Sequence, residues 1–454
     1  MFKRKVYNEM LRWKSESTGE SALLIEGARR VGKSTIAEEF GRSEYRSYAL
    51  FDFSKVTDAF RETFLDLRSD IDALAMYLQT YANVRLYERE SLVIFDEVQL
   101  FPQAREFLKH LVADGRFDYL ETGSLVSIKE NVKDIVIPSE EDALSLDPLD
   151  FEEFLLAMGE ELLADAIRDS FACVRPLPED LHRKAERLFR EYMLVGGMPQ
   201  AVAEYVSSRD MEAVDRRKRR ILRLYRDDIV KYAGNDKARV QSVFAGIPGQ
   251  LSKHEKRFTL ASIDKDARSR EYDGAFFWLD DARIANVCYN STDPTVGLAL
   301  NEDNATLKCY MADTGLLISH AFASNRATPN SVYRDILFGK IDLNEGMLVE
   351  NAVAQQLHAS GHRLFFYSQY SAVAADRMEI DFLIEREYEN AAMRMRVSPV
   401  EVKSAKRYGT SSLSKYKAKF AKRVGTQYVL HPRPMRHDVD AERVCLPLYM
   451  AHLL

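Results

Sequence analysis

The sequence lacks several things that define other classes of protein. No stretch of about 20 apolar residues is present, so no membrane-spanning helix is expected. The opening Met1-Phe2-Lys3-Arg4-Lys5 leads into no long apolar run, so no secretory leader is expected either, and the chain reads as cytoplasmic, with no membrane partner. Only four cysteines occur, Cys173, Cys288, Cys309 and Cys445, and none forms a C-x-x-C pair. A zinc site or a disulfide framework is thereby disfavoured, and a reducing compartment fits better. The nine histidines show no H-x-x-x-H or similar metal-binding spacing. Excess positive charge is also missing: the formal net charge is -6, so any contact with nucleic acid must come from local patches. No internal repeat or long low-complexity tract appears.

What remains is an ordinary globular composition, 46% hydrophobic over 454 residues, enough for about three domains at roughly 150 residues each. From Ser21 to about Leu156, short apolar runs alternate with amphipathic segments. Ala22–Ile25, Leu92–Phe95 and Tyr119–Thr122 read as strands; Thr35–Phe40, Ile71–Tyr81 and Gln103–Ala113 read as helices. That alternation predicts an α/β fold with a parallel sheet covered on both faces. From Phe151 to about Tyr232 the pattern is almost wholly helical. Short helices then lead to Ala275–Leu279 and Val287–Tyr289, which read as strands, as in a small helix-plus-wing module. From Tyr333 onward a helix (Gly346–Ser360) precedes strands at Leu364–Tyr367, Ile380–Ile384 and Val397–Val402, then a helix (Ser412–Lys422) and a strand (Gln427–Leu430). This stretch reads as a separate α/β domain.

Between the first strand and the first helix of that alternation stands Gly27-Ala28-Arg29-Arg30-Val31-Gly32-Lys33-Ser34, a G-x-x-x-x-G-K-S pattern in the context that motif requires. Its glycines let the backbone curl so that N–H groups point at phosphates, and the following helix adds its dipole. The loop through Thr35 is therefore the expected ATP-binding element. Lys33 is expected to bridge the β- and γ-phosphates, and Ser34 to hold Mg²⁺. A second element, Leu92-Val93-Ile94-Phe95-Asp96-Glu97, is a buried strand ending in two acids. Asp96 suits a magnesium ligand, and Glu97 suits the group that orients or deprotonates the attacking water. Alone, such a run is a strand reaching the surface; after a phosphate loop it gains meaning. Thr122-Gly123-Ser124 closes the next strand, where Thr122 and Ser124 are candidates to sense the γ-phosphate or, on the alternative reading, form an ordinary strand-to-loop turn.

These stretches resemble the predicted AAA+-type ATPases of bacteria and archaea that carry a C-terminal domain of unknown function. Further matching stretches are Phe95-Asp96-Glu97-Val98-Gln99, Pro148-Leu149-Asp150-Phe151-Glu152-Glu153-Phe154, Gly196-Gly197-Met198-Pro199, Tyr310-Met311-Ala312-Asp313-Thr314-Gly315-Leu316-Leu317 and Glu379-Ile380-Asp381-Phe382. The resemblance implies a P-loop ATPase core over residues 1–155, a helical lid over 156–235, a winged-helix-like region over 236–325 and a nuclease-like domain over 326–454. The sequence departs from the family in one place. Relatives carry a Gly-Arg pair before the Pro-Leu-x-Phe element, whereas this chain reads Ile137-Pro138-Ser139-Glu140-Glu141-Asp142. An arginine serving a neighbouring subunit's nucleotide is therefore missing at that position. A homo-oligomer is still an expectation, with either another arginine in that role or slow hydrolysis.

In the C-terminal stretch, Glu350 falls on a helix, Asp381 on a strand, and Glu401-Val402-Lys403 at the end of the next strand, resembling the PD-(D/E)xK nuclease pattern. Glu401 and Lys403 are two apart on a strand and share a face. Asp381, Glu401 and Glu350 are candidate metal ligands, and Lys403 is a candidate catalytic group that orients water or offsets developing charge. Strand-end acids and lysines are also common on solvated faces, and such a fold can serve for binding alone.

Two basic stretches, Arg216–Arg220 and Lys403–Lys422, suit either a phosphate-binding face or a solvated helix. Leu251-Ser252-Lys253-His254, in the winged-helix-like region, suits DNA contact or domain packing. Two functions follow. One is an ATPase that uses ATP and Mg²⁺ to drive a DNA-directed, nuclease-like half. The other is a nucleotide-dependent switch or scaffold that binds a protein partner through an inert nuclease fold. A nucleotide kinase is disfavoured, because no acceptor-site signature is present.

Overall fold

A computed structural model describes residues 1–125, 138–253, 257–260, 269–323, 328–337, 344–371, 373, 377–386, 395–421, 423–440 and 442–454. The chain forms two compact units. One comprises residues 1–147 with 281–283, and the other residues 148–280 with 284–454.

The first unit is built on five parallel strands, β1 (Ala22–Glu26), β2 (Ser47–Asp52), β3 (Ser91–Asp96), β4 (Asp118–Gly123) and β5 (Glu141–Ser145). Their order is β2-β3-β4-β1-β5. Successive side chains of a strand face opposite sides, and the packing follows that period. Ala22, Leu24, Val93, Phe95 and Tyr119 enter one core with Phe51, Phe60 and Phe64. Leu23, Ile25, Leu92, Ile94 and Leu120 enter a second core with Val6, Met10, Trp13 and Phe40. Strands buried on both faces read as continuous apolar runs, and β3 is buried throughout. The three expected helices are observed at Lys33–Glu44, Ile71–Ala82 and Pro102–Asp114. In such a sheet, ligands bind beyond the carboxyl ends of the strands, where the strand order switches.

The second unit joins helices to an eight-stranded mixed sheet. The strands are β6 (Ala285–Ser291), β7 (Glu302–Met311), β8 (Phe365–Gln369), β9 (Met378–Arg386), β10 (Arg396–Val402), β11 (Gln427–His431), β12 (Arg436–Asp438) and β13 (Arg443–Pro447). They lie in the order β12-β13-β11-β10-β9-β8-β6-β7. β6 and β7 come from the region expected to be winged-helix-like. β6 nonetheless pairs in parallel with β8, Tyr289 opposite Phe365.

One expected strand is a helix: Ala275–Leu279 lies within the helix Ser269–Asp281. The reason is periodicity. Tyr272, Ala275, Phe276 and Leu279 are buried at the i, i+3, i+4, i+7 spacing of one helical face, while Phe277 is 52% exposed. The continuous apolar run concealed that period. The expected helices and strands beyond Tyr333 occur at Glu345–Ala359, β8, β9, β10, Ser411–Phe420 and β11. Ile137, His254 and Lys422 lie outside the described residues.

Three of the stretches that carried the family resemblance meet in one buried knot of the second unit. The Leu149 amide donates to Gly197 O at 2.8 Å, and the Gly197 amide donates to Asp313 Oδ2 at 2.5 Å. Tyr192 Oη donates to Leu149 O at 2.7 Å. Asp313 also caps the helix Thr314–Ala321 through the Leu316 amide at 2.7 Å. A Cβ on Gly197 would stand 2.1 Å from Leu149 O, and one on Gly315 2.3 Å from Val195 O. Both positions exclude a side chain because backbones touch there.

Candidate functional site

The phosphate loop follows β1 and ends in the helix beginning at Lys33. Gly27 is packed against its surroundings: a Cβ there would stand 2.3 Å from Leu146 O. Gly32 has φ +107°, a left-handed geometry open to glycine, and Arg30 follows with φ +71°. Ala28 and Val31 are buried and hold the loop in place, while Arg30 and Thr35 are exposed and Arg29 is half-buried. Gly32 brings no side-chain cap to the helix. The dipole of that helix favours an anion at this end. Arg4 supports the loop from the N-terminal segment, donating from Nη1 to Val31 O at 3.3 Å and from Nη2 to Asp147 O at 2.5 Å. Lys33 is buried, and its Nζ donates to Gly27 O at 2.8 Å and Ala28 O at 3.0 Å.

Asp96 ends β3, beside Thr122 near the end of β4, and β4 is the neighbour of β1. This brings three adjacent strand ends to one place. Ser34 Oγ donates to Asp96 Oδ1 at 2.7 Å, and Thr122 Oγ1 donates to the same oxygen. Burial pushes the Asp96 carboxyl up; hydrogen bonds from Thr122 and Ser34 oppose this, while the charges of Glu97 and Asp52 add to it. Magnesium takes hard oxygen ligands in a compact set. The Ser34 hydroxyl and the Asp96 carboxylate, already hydrogen-bonded to each other, fit that chemistry. Glu97 leaves the strand with φ +58°, which turns its chain away from the sheet. Gln99 Nε2 donates to Glu97 Oε2 and lies 3.5 Å from Ser124 Oγ.

Residues 19–155 match the family model of the AAA domain. The N-terminal region is thus P-loop ATPase-like, with the ATP binding and ATPase-type function that go with such a domain. Two further matches fall on domains of unknown function, DUF8612 over residues 186–327 and DUF4143 over residues 345–450. A comparison with curated proteins found no match. Among the described residues, no helix is long and apolar enough to cross a membrane.

The sequence reading of the AAA-type region missed Gln99 as a contact of Glu97, and it missed Arg4. Gln99 ends the Phe95-Asp96-Glu97-Val98-Gln99 stretch, two residues beyond Glu97, where a 3₁₀ turn (Val98–Leu100) folds it back. Arg4 carries no local signal.

The residues expected at the C-terminal site occupy neighbouring elements. Glu350 lies on the helix Glu345–Ala359, Asp381 on β9, Glu401 on β10 and Lys403 just beyond it. Asp381 Oδ2 accepts from the Val402 amide at 2.8 Å, and Lys403 Nζ pairs with Glu401 Oε1 at 2.5 Å. A residue absent from the expected set stands among them. Lys308 on β7, whose side chain is 1% exposed, places Nζ 2.9 Å from Glu379 Oε1, 3.4 Å from Glu350 Oε1 and 3.9 Å from Asp381 Oδ1. Tyr310 Oη donates to Glu350 Oε1 at 2.5 Å. Burial alone would pull the Lys308 ammonium down; Glu350, Glu379 and Asp381 outweigh it and hold the group above its ordinary value. Burial pushes Asp381 up to about 7, with Glu350 adding and Lys308 opposing. Among the described residues, no group of three or more His, Cys, Asp or Glu side chains is arranged to hold a metal ion. Glu350 and Asp381 share the buried Lys308 ammonium with Glu379, whereas Glu401 pairs with Lys403.

The basic stretches divide differently from expectation. In Arg216–Arg220, Lys218 is buried, donating to Leu194 O at 2.7 Å and Tyr333 Oη at 3.1 Å. Arg219 pairs with buried Asp215 at 2.6 Å, Arg216 with Glu212 at 2.9 Å and Arg217 with Glu204 at 3.0 Å. That stretch knits helices together. In Lys403–Lys422, Lys406 and Arg407 are exposed, while Lys417 pairs with Glu442 and Lys419 donates to Tyr367 Oη.

Proposed function

We propose that this chain binds and hydrolyses Mg-ATP at the loop Gly27–Ser34. One observation carries the reading: Ser34 and Thr122 converge on the same oxygen of Asp96, at the ends of the strands that flank the loop. Lys33 gives up the Gly27 and Ala28 carbonyls and takes the β- and γ-phosphates. Ser34 and Asp96 hold Mg²⁺, which neutralises charge on the phosphates. Glu97, held by Gln99, orients the attacking water and accepts its proton, and Thr122 and Ser124 face the γ-phosphate end of the site.

ATP turnover would then drive the second unit, with DNA as the partner suggested by the exposed Lys406 and Arg407. Steady-state ATPase assays with and without single- and double-stranded DNA test this. Stimulation supports the DNA-coupled reading, and indifference replaces it with a switch that binds a protein partner. Assembly into a homo-oligomer that completes the nucleotide site in trans would make specific activity rise with protein concentration. Metal-dependent cleavage at Asp381 and Glu401 forms no part of the proposal, since the carboxylates around it already hold Lys308.

A further inference from the structure

Among the described residues, three buried charged clusters outside the nucleotide site stand out. The first, Arg105 with Glu121 and Glu141, ties Glu141 of β5 to the helix Pro102–Asp114. The second, Asp215 with Lys218, Arg219, Ser319 and Tyr333, locks helices of the second unit. Both are internal scaffolding. The third, around Lys308, has a different character, because its acids come from a helix and a sheet strand in the order a metal-dependent site would use.

We propose that the Lys308 ammonium is a cation built into the C-terminal site, where it takes the place of a divalent metal ion. The geometry carries this. A divalent ion in a carboxylate site is held by oxygens of separate side chains that converge on one point. Here Glu350 from the helix Glu345–Ala359 and Glu379 and Asp381 from β9 converge on Lys308 Nζ, within 3.9 Å in every case. These acids have further contacts. Glu350 accepts from Tyr310 Oη, Asp381 accepts from the Val402 amide, and Arg257 Nε lies 4.0 Å from Glu379. Glu401, the fourth acid, pairs with Lys403 through Oε1, while its buried Oε2 has no hydrogen-bond partner. A metal ion at the point where these three acids converge would have to displace a buried ammonium from its counter-charges. That would leave a buried unpaired charge, which is costly. The ammonium offers neither an open coordination position nor a way to lower the pKa of a bound water, which are the two contributions a metal makes to phosphodiester cleavage. The site therefore holds a built-in cation among its acids, one charge short of a divalent ion, without the chemistry of a metal centre. The inference is independent of the ATPase proposal, since it concerns a different unit and a different cation.

The test is Mn²⁺ binding to the full chain, followed by electron paramagnetic resonance without nucleotide. It compares the wild type, Asp381→Asn, Lys308→Met and the Lys308→Met/Asp381→Asn double variant. The expected result is that wild type and Asp381→Asn bind Mn²⁺ alike, with no site that depends on Asp381. Lys308→Met should gain one Mn²⁺ site with micromolar to millimolar affinity, its unfolding midpoint should rise with added Mn²⁺, and both effects should vanish in the double variant. A wild-type Mn²⁺ site that disappears in Asp381→Asn overturns the proposal. A folded Lys308→Met that gains no site overturns it too. If Lys308→Met does not fold, the wild-type and Asp381→Asn pair decides by itself. Wild-type cleavage of DNA that requires Mn²⁺ and is abolished in Asp381→Asn also overturns it, whatever the ATPase activity.

Discussion

Lys33 and Glu97 make opposite demands on the same site, and replacing each in turn separates binding from chemistry. In the structure, Lys33 Nζ makes two hydrogen bonds, to Gly27 O at 2.8 Å and Ala28 O at 3.0 Å. Binding ATP exchanges these for contacts with phosphate oxygens. A hydrogen bond between two ionised groups contributes about 1.5–3 kcal/mol and an ordinary one about 1 kcal/mol. The net gain is thus roughly 0.5–2 kcal/mol per bond, or about 2.5 kcal/mol for two. Lys33→Ala forfeits that gain, so its Kd for Mg-ATP should rise by about 100-fold. Glu97→Gln keeps the size of the side chain and the contact with Gln99 but removes the base, so Kd should change little while kcat falls by about 100- to 10,000-fold. Isothermal titration calorimetry gives the first quantity and a phosphate-release assay the second. The reasoning is refuted if Lys33→Ala binds Mg-ATP within threefold of wild type, or if Glu97→Gln loses binding as severely as Lys33→Ala.

Gln99 holds Glu97 from two residues away, so Gln99→Ala should lower kcat about tenfold with Kd for ATP unchanged; equal kcat values would remove the positioning role. Gly197→Ala should destabilise the second unit by about 3 kcal/mol, because its Cβ would meet Leu149 O at 2.1 Å; an unchanged urea midpoint would show that the knot relaxes freely. Burial pulls the Lys218 ammonium down to about 8 from the 10.5 of a free lysine. Between those two values the unfolded chain holds more protons than the folded one, so stability should rise with pH across that window, by on the order of 3 kcal/mol. Lys218→Met should remove this slope, and identical slopes in denaturant titrations of both proteins from pH 7.5 to 10.5 would contradict the assignment.

The meeting of Ser34, Asp96 and Thr122 was legible in the sequence because its parts are local. A loop of eight residues, a strand ending in Asp96-Glu97 and a strand ending in Thr122-Gly123-Ser124 each announce themselves, and a parallel sheet brings strand ends together without further instruction. What was not legible depends on elements that meet across the fold. Lys308 lies on β7, and its acids lie 42, 71 and 73 residues later, at Glu350, Glu379 and Asp381. A hint existed in Leu307-Lys308-Cys309-Tyr310-Met311, a single lysine inside an apolar strand, where a buried cation must find a partner. The helix over Ala275–Leu279 failed to show for the opposite reason, since exposed Phe277 filled the gap that would have revealed its period. The Gly196-Gly197 and Asp313 stretches stood out as motifs, yet their contacts are those of a structural knot.

The two carboxylate sites answer one physical problem in two ways. A cluster of acids needs a positive charge close by, or its members must neutralise themselves by taking up protons. At the nucleotide site the acids are few. Asp96 is satisfied by two neutral hydroxyls, Ser34 and Thr122, and the cation Lys33 rests nearby on neutral carbonyls. Hydroxyls and carbonyls are easily given up, so such a site can admit an ion and a phosphate and release them again. At the C-terminal site the acids are many and the cation is covalently attached to the chain, with a side chain only 1% exposed. Its ion pairs exchange with nothing. On the proposed reading one site exchanges its ligands and the other keeps its cation. A variant that frees the second from its lysine should acquire a requirement for added metal that the native chain does not have.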